Sequence, residues 1–194
     1  TPPKEVNEDH LSWRFLKELE SKDYRIFKAS QHDVEHPFTQ KSHQVIILDV
    51  PNWVNVIALT PEKEVVLVKQ YRFGTREVTL EIPGGMIESG EPPLEAAKRE
   101  LEEETGYITD NWIELGVVDP NPAFQTNACW TYLALDATPT GQLQPDSGEA
   151  IEVTRLPLAD MPEIFRTGKI RHSLVIAAFF HFQQSPLWHE YFQK

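Results

Sequence analysis

The stretch from Gly85 to Tyr107, GMIESGEPPLEAAKRELEEETGY, constrains this chain more than any other part of its sequence. Just before Gly106, where a helix is expected to end, the chain crowds four acidic residues: Glu100, Glu102, Glu103 and Glu104. The dipole of a helix places partial negative charge at its C-terminus, so each acid there costs about 0.3–1 kcal/mol unless something compensates. Glu100 and Glu104 are four residues apart, so they repel each other on one face. The pattern predicts a bound cation.

The helix itself is predicted by its two ends and by its apolar face. Pro92 and Pro93 suit a first helical turn, where a missing N–H costs little. Gly106 is placed to end the helix in a left-handed conformation. Between these ends, an apolar stripe at helical spacing is expected to face the core: Leu94, Ala97 and Leu101.

Three of the glutamates, at positions 100, 103 and 104, fall together beside that stripe. Their hard oxygens, without histidine or cysteine in the pattern, favour Mg²⁺, Mn²⁺ or Ca²⁺ over zinc. The preceding turn, Pro83-Gly84-Gly85, lets the backbone approach the same place closely. The alternative is a solvated, acid-rich surface helix. Arg99 within the run and Glu91 at its entry favour the metal site.

These residues resemble the signature of the Nudix hydrolases, a pattern of glycines, glutamates and one arginine at fixed spacing. The matching residues are Gly85, Glu91, Arg99, Glu100, Leu101, Glu103, Glu104 and Gly106. Tyr107 departs from the pattern, since an aliphatic residue is usual there, but a packing position can accept an aromatic. The resemblance implies an α+β fold, the Nudix α/β/α sandwich with a mixed β-sheet, which agrees with strand-rich segments and interspersed helices.

The resemblance also implies the residues of a metal site for Mg²⁺, with Mn²⁺ as an alternative ion. The implied ligands are Gly84 through its carbonyl, Glu100, Glu103 directly or through water, and Glu104. A carboxylate-bound cation of this kind can bridge phosphate oxygens and help to form a hydroxide nucleophile. The implied reaction is hydrolysis of a diphosphate linkage.

Arg99 is expected to orient these acids by bidentate pairing, which lysine could not match. The alternative for Arg99 is an ordinary helix pair with Glu95 or Glu103. Glu91 is expected to support the loop and the arginine and not to bind the metal.

Residues outside this signature narrow the substrate. The segments Val68-Lys69-Gln70-Tyr71-Arg72 and Leu80-Glu81-Ile82-Pro83-Gly84-Gly85 resemble the ADP-ribose pyrophosphatase branch of the family, and Pro122 stands where that branch usually carries a proline. The resemblance makes Arg72 a candidate for binding a substrate phosphate, and it places Glu81 in the same substrate-binding motif. The alternative for Arg72 is a surface arginine at a strand end.

Two further segments are expected to reach the active site. Phe124 and Gln125 lie in a loop where they could touch the terminal sugar, and they depart from the small residues expected for a strict ADP-ribose enzyme, so GDP-mannose and other nucleotide sugars stay open. In the resembling branch, the general base often comes from a late acidic loop. Glu149 and then Glu152 are the candidates, with Glu103 as the fallback. The alternative is that both late acids face solvent at a strand edge.

Composition excludes several classes of partner. The chain of 194 residues has 18 basic and 30 acidic residues, and its net charge of −12 argues against a nucleic-acid or anionic-membrane surface.

Cys129 is the single cysteine, so no internal disulfide is expected and a reducing, cytoplasmic location is favoured. It lies in an apolar, strand-like run, where a buried inert thiol is expected. The charged N-terminus lacks the apolar core of a signal peptide.

The remaining pattern suggests two parts, an N-terminal β-rich extension over residues 1–52 and a Nudix hydrolase domain over residues 53–194. Strands are predicted at 24–30, 43–50, 53–59, 64–71, 78–82, 112–118, 128–135 and 151–156, and later helices at 158–167 and 173–183. Residues 11–21 read as a short helix or irregular chain. Trp13 and Tyr24 could stack a nucleobase. In the resembling enzymes, such extra strands build a homodimer, so a homodimer is expected.

Two functions from different classes follow. The first is a metal-dependent hydrolase that splits a nucleoside diphosphate sugar into a nucleoside monophosphate and a sugar phosphate. The second is a catalytically silent Nudix-fold module that senses nucleotides or contacts a protein. The intact carboxylate set favours the first. Hydrolysis of a damaged nucleoside triphosphate or a dinucleoside polyphosphate is disfavoured by Pro122 and Arg72.

Overall fold

A computed structural model describes residues 9–140 and 150–192, which form two compact units. The first unit contains the chain up to Pro51 together with residues 121–127, and the second contains residues 52–120 and 128–194. Residues 121–127 were expected in the second part, over residues 53–194, but belong to the first unit. A parallel bridge between Leu48 and Gln125 attaches this segment to the first unit.

The first unit is an antiparallel three-stranded sheet. Its strands are β1 (Arg14–Asp23), β2 (Lys28–Glu35) and β3 (Ser42–Asp49), in the order β1-β2-β3, after a 3-10 turn at Asp9–Leu11. The expectation of a short helix or irregular chain over residues 11–21 is wrong. β1 pairs with β2 from Arg14↔Glu35 to Asp23↔Lys28. Pairing along a neighbouring strand overrides the weak helix propensity of this polar segment.

The second unit is built on a mixed seven-stranded sheet. Its strands are β4 (Trp53–Leu59), β5 (Glu64–Arg72), β6 (Glu77–Glu81), β7 (Gly84–Met86), β9 (Asn111–Val118), β10 (Cys129–Leu135) and β12 (Ile151–Pro157). The order is β12-β5-β4-β10-β9, with β6 beside β5 and β7 beside β4. β4 and β10 run parallel, while the other pairs are antiparallel. The small strands β8 (Tyr107–Ile108) and β11 (Thr138–Pro139) pair separately.

Helices cover both faces of this sheet. α1 (Pro93–Thr105) packs with a core that includes Val54, Val56 and Leu101. The helices α2 (Met161–Arg166), α3 (Ser173–Gln184) and α4 (Pro186–Phe192) pack with the core on the other face, which includes Ile57 and Leu133. Alternating β4 residues thus serve opposite cores, as the period of a strand requires. The predicted α/β/α sandwich with a mixed sheet and an added N-terminal sheet is confirmed.

β4 and β5 separate soon after they pair, and this separation positions the candidate site. They meet at Ala58↔Val66 and Leu59↔Val65, after which β5 pairs with β6 and β4 pairs with β7. The connection between β6 and β7 therefore lies inside the sheet, where the Val56 N–H donates a 2.9 Å hydrogen bond to the Pro83 carbonyl. The glycine turn at residues 84–85 is anchored to β4 directly before α1 begins.

Candidate active site

The end of α1 is tied to the glycine turn by a buried glutamate. The Gly84 N–H donates a 3.0 Å hydrogen bond to Oε2 of Glu104, which is 3% exposed. Two residues later, Gly106 ends the helix at φ 69°, in the left-handed conformation predicted for it, and its N–H donates to the Glu102 carbonyl. The predicted helix is confirmed at both ends. Glu104 thus stands at the negative end of the helix dipole, directly against the turn.

The two glycines of the turn leave no room for a side chain. A Cβ on Gly84 would lie 2.2 Å from the Val54 carbonyl oxygen, and one on Gly85 would lie 2.4 Å from Oε1 of Glu100. Both distances are far below van der Waals contact: a side chain at position 84 would collide with fixed strand backbone, and one at position 85 would displace the Glu100 carboxylate. The turn therefore brings its backbone against two acids of α1, Glu100 and Glu104.

Arg99 connects the acids of the helix to the loop before it. Its Nε and Nη2 donate to the two carboxylate oxygens of Glu91 at 2.9 and 3.0 Å. Nη1 donates to Glu100 at 2.8 Å and to Glu103 at 3.1 Å, and Nη2 also reaches the Met86 carbonyl at 3.0 Å. The hydrogen bonds to Glu91, then those to Glu100 and Glu103, raise the pKa of Arg99, while hydrogen bonds from Arg99 lower the pKa of Glu91. Arg99 therefore makes the i, i+4 pair with Glu103 as well as the fork with Glu91.

We call Glu91, Glu100, Glu103 and Glu104 the acid cluster. Together with Arg99 it carries four carboxylates and one guanidinium, a donor set of hard oxygens that suits a divalent cation such as Mg²⁺. Within residues 9–140 and 150–192, no three His, Cys, Asp or Glu side chains form a ready-made metal cage. Arg99 donates to one carboxylate oxygen of Glu100, Oε1, and to one of Glu103, Oε2, so a single guanidinium nitrogen holds these two acids together.

Arg72 and Glu81 contact each other at the end of β5. Nε and Nη2 of Arg72 donate to Oε1 and Oε2 of Glu81 at 2.8 and 2.7 Å, and the Thr79 hydroxyl donates to the same Oε1 at 2.6 Å. Burial works to raise the pKa of Glu81, but the hydrogen bonds from Arg72 and Thr79 and the charge of Arg72 outweigh it and lower the pKa. Glu81 is thus a buried, ionised carboxylate that holds the guanidinium of Arg72.

Of the two candidates for the general base, Glu149 and Glu152, the structure describes only Glu152. Glu149 lies outside the described residues. Glu152 in β12 is mostly exposed and pairs with Lys69 at 2.6 Å. Val153 packs with the core beneath α1, whereas Leu156 packs with the core on the opposite face. Because Glu152 and Leu156 share one face of β12, the sheet separates the Glu152 side chain from α1.

The other proposed contact residues belong to the first unit. The Phe124 carbonyl accepts a 2.7 Å hydrogen bond from the Leu48 N–H, and Gln125 bridges to the same residue. Trp13 packs edge-on against the rings of His36 and His43, with centroids 4.7 and 5.3 Å away.

Two residues near Glu81 were missed by sequence reasoning. Thr79 precedes Glu81 by two residues in a strand, so strand alternation could have placed both side chains on one face. His172 lies just before α3, with its Nε2 4.0 Å from Oε2 of Glu81. Burial, and to a lesser degree the charge of Arg72, lower the pKa of His172, although Glu81 opposes this. No local pattern connects His172 with β6, because about 90 residues separate them.

Comparison with known proteins identifies the class. Residues 51–179 match the model of the NUDIX domain. A relative from Bacillus methanolicus, named methanol dehydrogenase activator, is 33% identical and matches over 86% of this chain and 90% of its own length. The ADP-ribose pyrophosphatase of Bacillus subtilis is 30% identical over 75% of this chain and 79% of its own. The chain belongs to the Nudix family, and it is a Nudix hydrolase.

A solved structure extends the likeness to the fold. The crystal structure of an ADP compounds hydrolase superposes with a TM-score of 0.80 at 22% identity, covering 92% of this chain and 95% of its own. At this identity the likeness concerns the fold alone. Across the described part of the chain, every helix is too short or too polar to span a membrane.

Proposed function

We propose that this Nudix hydrolase is a metal-dependent pyrophosphohydrolase that cleaves nucleoside diphosphate sugars, and that ADP-ribose is its preferred substrate. The products are a nucleoside monophosphate and a sugar phosphate. The observation that carries the proposal is the contact of Glu100 and Glu104 with the turn at Gly84 and Gly85. The relative named ADP-ribose pyrophosphatase supports the choice of substrate.

The residues proposed to hold Mg²⁺, or Mn²⁺ in its place, are Glu100, Glu103, Glu104 and the Gly84 carbonyl. When bound, such a cation neutralises phosphate charge and lowers the pKa of a coordinated water. Arg99 keeps Glu100 and Glu103 together and thereby limits the rearrangement that ion binding requires. Arg72, held by Glu81, offers positive charge to a phosphate of the substrate.

In the proposed reaction, water attacks one phosphorus of the diphosphate and the bridging P–O bond breaks. The proton of the attacking water passes to a carboxylate, and the other phosphate leaves with the bridging oxygen. We propose Glu149 as this base and Glu103, which lies in the acid cluster, as the fallback. Glu152 is the weaker candidate because it pairs with Lys69 and the sheet separates it from α1.

Phosphate release from ADP-ribose with Mg²⁺ and a coupled phosphatase tests the proposal. Without the phosphatase, the intact protein should yield AMP and ribose phosphate and no free phosphate. Measuring kcat/KM for a panel of nucleotide sugars that includes GDP-mannose then shows which sugar and which nucleobase the enzyme prefers. If kcat/KM is higher for GDP-mannose than for ADP-ribose, GDP-mannose becomes the proposed substrate, and the reaction class stays the same.

A catalytically silent module is the second candidate function. One observation favours it, since the Bacillus methanolicus relative is named for the activation of another enzyme. The acid cluster argues for the hydrolase, because all four of its carboxylates are present and in contact with Arg99 or the turn. Binding of nucleotide sugars without turnover of any of them would establish the silent module.

We also propose a homodimer in which the N-terminal strands form the contact, and a cytoplasmic location. All residues of β1 are exposed, and they include Phe15 at 59%, Leu16 at 45% and Leu19 at 37%. Exposed apolar side chains concentrated on one strand are typical of a protein interface. Light scattering should give twice the chain mass at micromolar concentration, and Leu16→Asp should lower it. A monomeric intact protein would contradict the dimer.

A further inference from the structure

We propose that Glu81 and Thr79 are positioning residues that fix the guanidinium of Arg72 for a substrate phosphate. Glu81 was expected to contact the substrate itself, whereas in this proposal it acts through Arg72. The inference rests on the proposed function insofar as Arg72 is expected to bind that phosphate.

The geometry of the three side chains carries this inference. Two hydrogen bonds, at 2.8 and 2.7 Å, join one edge of the Arg72 guanidinium to both carboxylate oxygens of Glu81. Such a pair fixes the plane of the guanidinium as well as its position. Oε1 of Glu81 accepts a further hydrogen bond from Thr79 at 2.6 Å, which fixes the carboxylate in turn.

Burial is distributed unequally over the pair. The side chain of Glu81 is 3% exposed, and that of Arg72 is 43% exposed. A buried ion pair is poor evidence for stability, because desolvation of the carboxylate offsets most of the attraction. A buried acid that holds a half-exposed arginine is, by contrast, suited to present a fixed positive charge to a ligand.

Arg72 is held by Glu81 and not by Glu77, the acid nearest to it in the strand register, because Glu77 has another partner. Glu77 lies opposite Arg72 in the β5–β6 pairing, but its carboxylate contacts Arg171. Thr79 and Glu81 follow on the same face at the period of a strand. The long Arg72 side chain passes along β6 to reach Glu81. Glu77 is therefore a matched control, since it is an acid of the same strand with its own arginine partner.

His172 is the other titratable group that faces Glu81. Its Nε2 lies 4.0 Å from Oε2 of Glu81, and burial lowers the pKa of the imidazole. Near neutral pH the ring is uncharged, so it does not compete with Arg72 for the Glu81 carboxylate.

The test measures KM and kcat for ADP-ribose in a double-mutant cycle. Thr79→Val keeps the shape of the side chain and removes the hydroxyl, and Glu81→Gln keeps the volume and removes the charge. Since hydrogen bonds to charged groups contribute enough to change affinity about tenfold, we expect each variant to raise KM about tenfold with a smaller change in kcat. Lysine cannot make the paired hydrogen bonds that join Arg72 to both oxygens of Glu81. In an Arg72→Lys background, the same changes should therefore alter KM less than about twofold.

Two comparisons separate positioning from a general loss of structure. Thr79→Ser restores a hydroxyl and should recover most of the affinity lost in Thr79→Val, and Glu77→Gln should leave KM unchanged. If Glu81→Gln does not fold, as judged by thermal unfolding, Thr79→Val alone completes the cycle.

Three outcomes would contradict the proposal, and they can be distinguished from one another. Equal increases of KM in the wild-type and Arg72→Lys backgrounds would overturn the positioning role while leaving the hydrolase intact. An unchanged KM in Thr79→Val would overturn the role of the hydroxyl. If the wild-type protein neither cleaves nor binds any nucleotide sugar, the proposed function fails first, and the role of Arg72 fails with it.

Discussion

The Gly84 N–H donates a 3.0 Å hydrogen bond to the Glu104 carboxylate, and these two residues are 20 positions apart in the chain. This contact joins the connection between β6 and β7 to the last turn of α1. One helical turn earlier, the Glu100 carboxylate lies close to Gly85, so close that a Cβ on that glycine would collide with it. Two neighbouring turn residues are thus matched to two acids at i, i+4 spacing, which gathers negative charge where the helix dipole disfavours it.

Removing the charge of Glu104 should abolish most of the activity. In Glu104→Gln the volume is kept and a carbonyl oxygen can still accept from Gly84, but the proposed metal ligand loses its charge. We expect kcat to fall about 10²-fold or more, with nucleotide binding retained. Glu102→Gln is the matched control, because Glu102 is an exposed acid of the same helix outside the acid cluster. Normal turnover by Glu104→Gln at saturating Mg²⁺ would remove Glu104 from the metal ligands.

The glycines of the turn should respond differently to alanine. Gly84→Ala places a Cβ against the Val54 backbone, which cannot move easily, so we expect a loss of about 1–3 kcal/mol in the free energy of unfolding. Gly85→Ala meets only the end of the Glu100 side chain, which can rotate away. We expect that variant to keep more stability and lose activity. Gly74→Ala, with open space around it, is the control for denaturant unfolding and kinetics. Full activity of Gly85→Ala would show that the Glu100 position is not needed.

Acid should weaken the fold partly through His172. Its pKa is lower in the folded state than in the unfolded state, so the unfolded chain takes up the proton first. The free energy of unfolding should therefore fall as the pH drops from neutral through the ordinary histidine pKa of about 6.5. Urea unfolding at a series of pH values measures this slope. His172→Gln should flatten the slope, and His10→Gln, at an exposed site, should not. Equal slopes in all three proteins would contradict the assignment.

Cys129 should be inert in the folded protein. The residue is fully buried, and burial raises the pKa of its thiol to about 12. The thiolate fraction at pH 8 is then about 10³-fold smaller than for a free cysteine, before any effect of access. We expect no reaction with a thiol reagent in native buffer and one thiol per chain in denaturant. Rapid labelling of the native protein would contradict both the burial and the inert role.

The general base can be tested at Glu149 independently of the metal ligands. We expect Glu149→Gln to lower kcat by about 10²-fold, a usual contribution of general-base catalysis, and to leave the Mg²⁺ concentration for half-maximal rate nearly unchanged. Glu152→Gln is the comparison, and its rate should stay near that of the wild type because Lys69 pairs with Glu152. An unchanged rate in Glu149→Gln would pass the role to Glu103.

The sequence predicted α1 and most strands of the second unit because their signals are local. Prolines at one end, Gly106 at the other and an apolar stripe between them define a helix without reference to the rest of the chain. The strand β1 was missed, because its ten exposed residues show no buried face and only pairing with β2 makes them a strand. The short strand β7 and the helix α4 were also missed. β7 consists of the glycine turn itself and pairs only because β4 and β5 separate.

By itself, the sequence determined the family, the fold and the group of acids on α1, since spacing along one helix fixes which side chains share a face. Only the tertiary structure decided the partners of those side chains. It placed Glu81 and Thr79 around Arg72, His172 beside them, and Glu152 on the face of the sheet away from α1. These contacts depend on the register between strands and on the packing of distant elements, which no local pattern in the chain records.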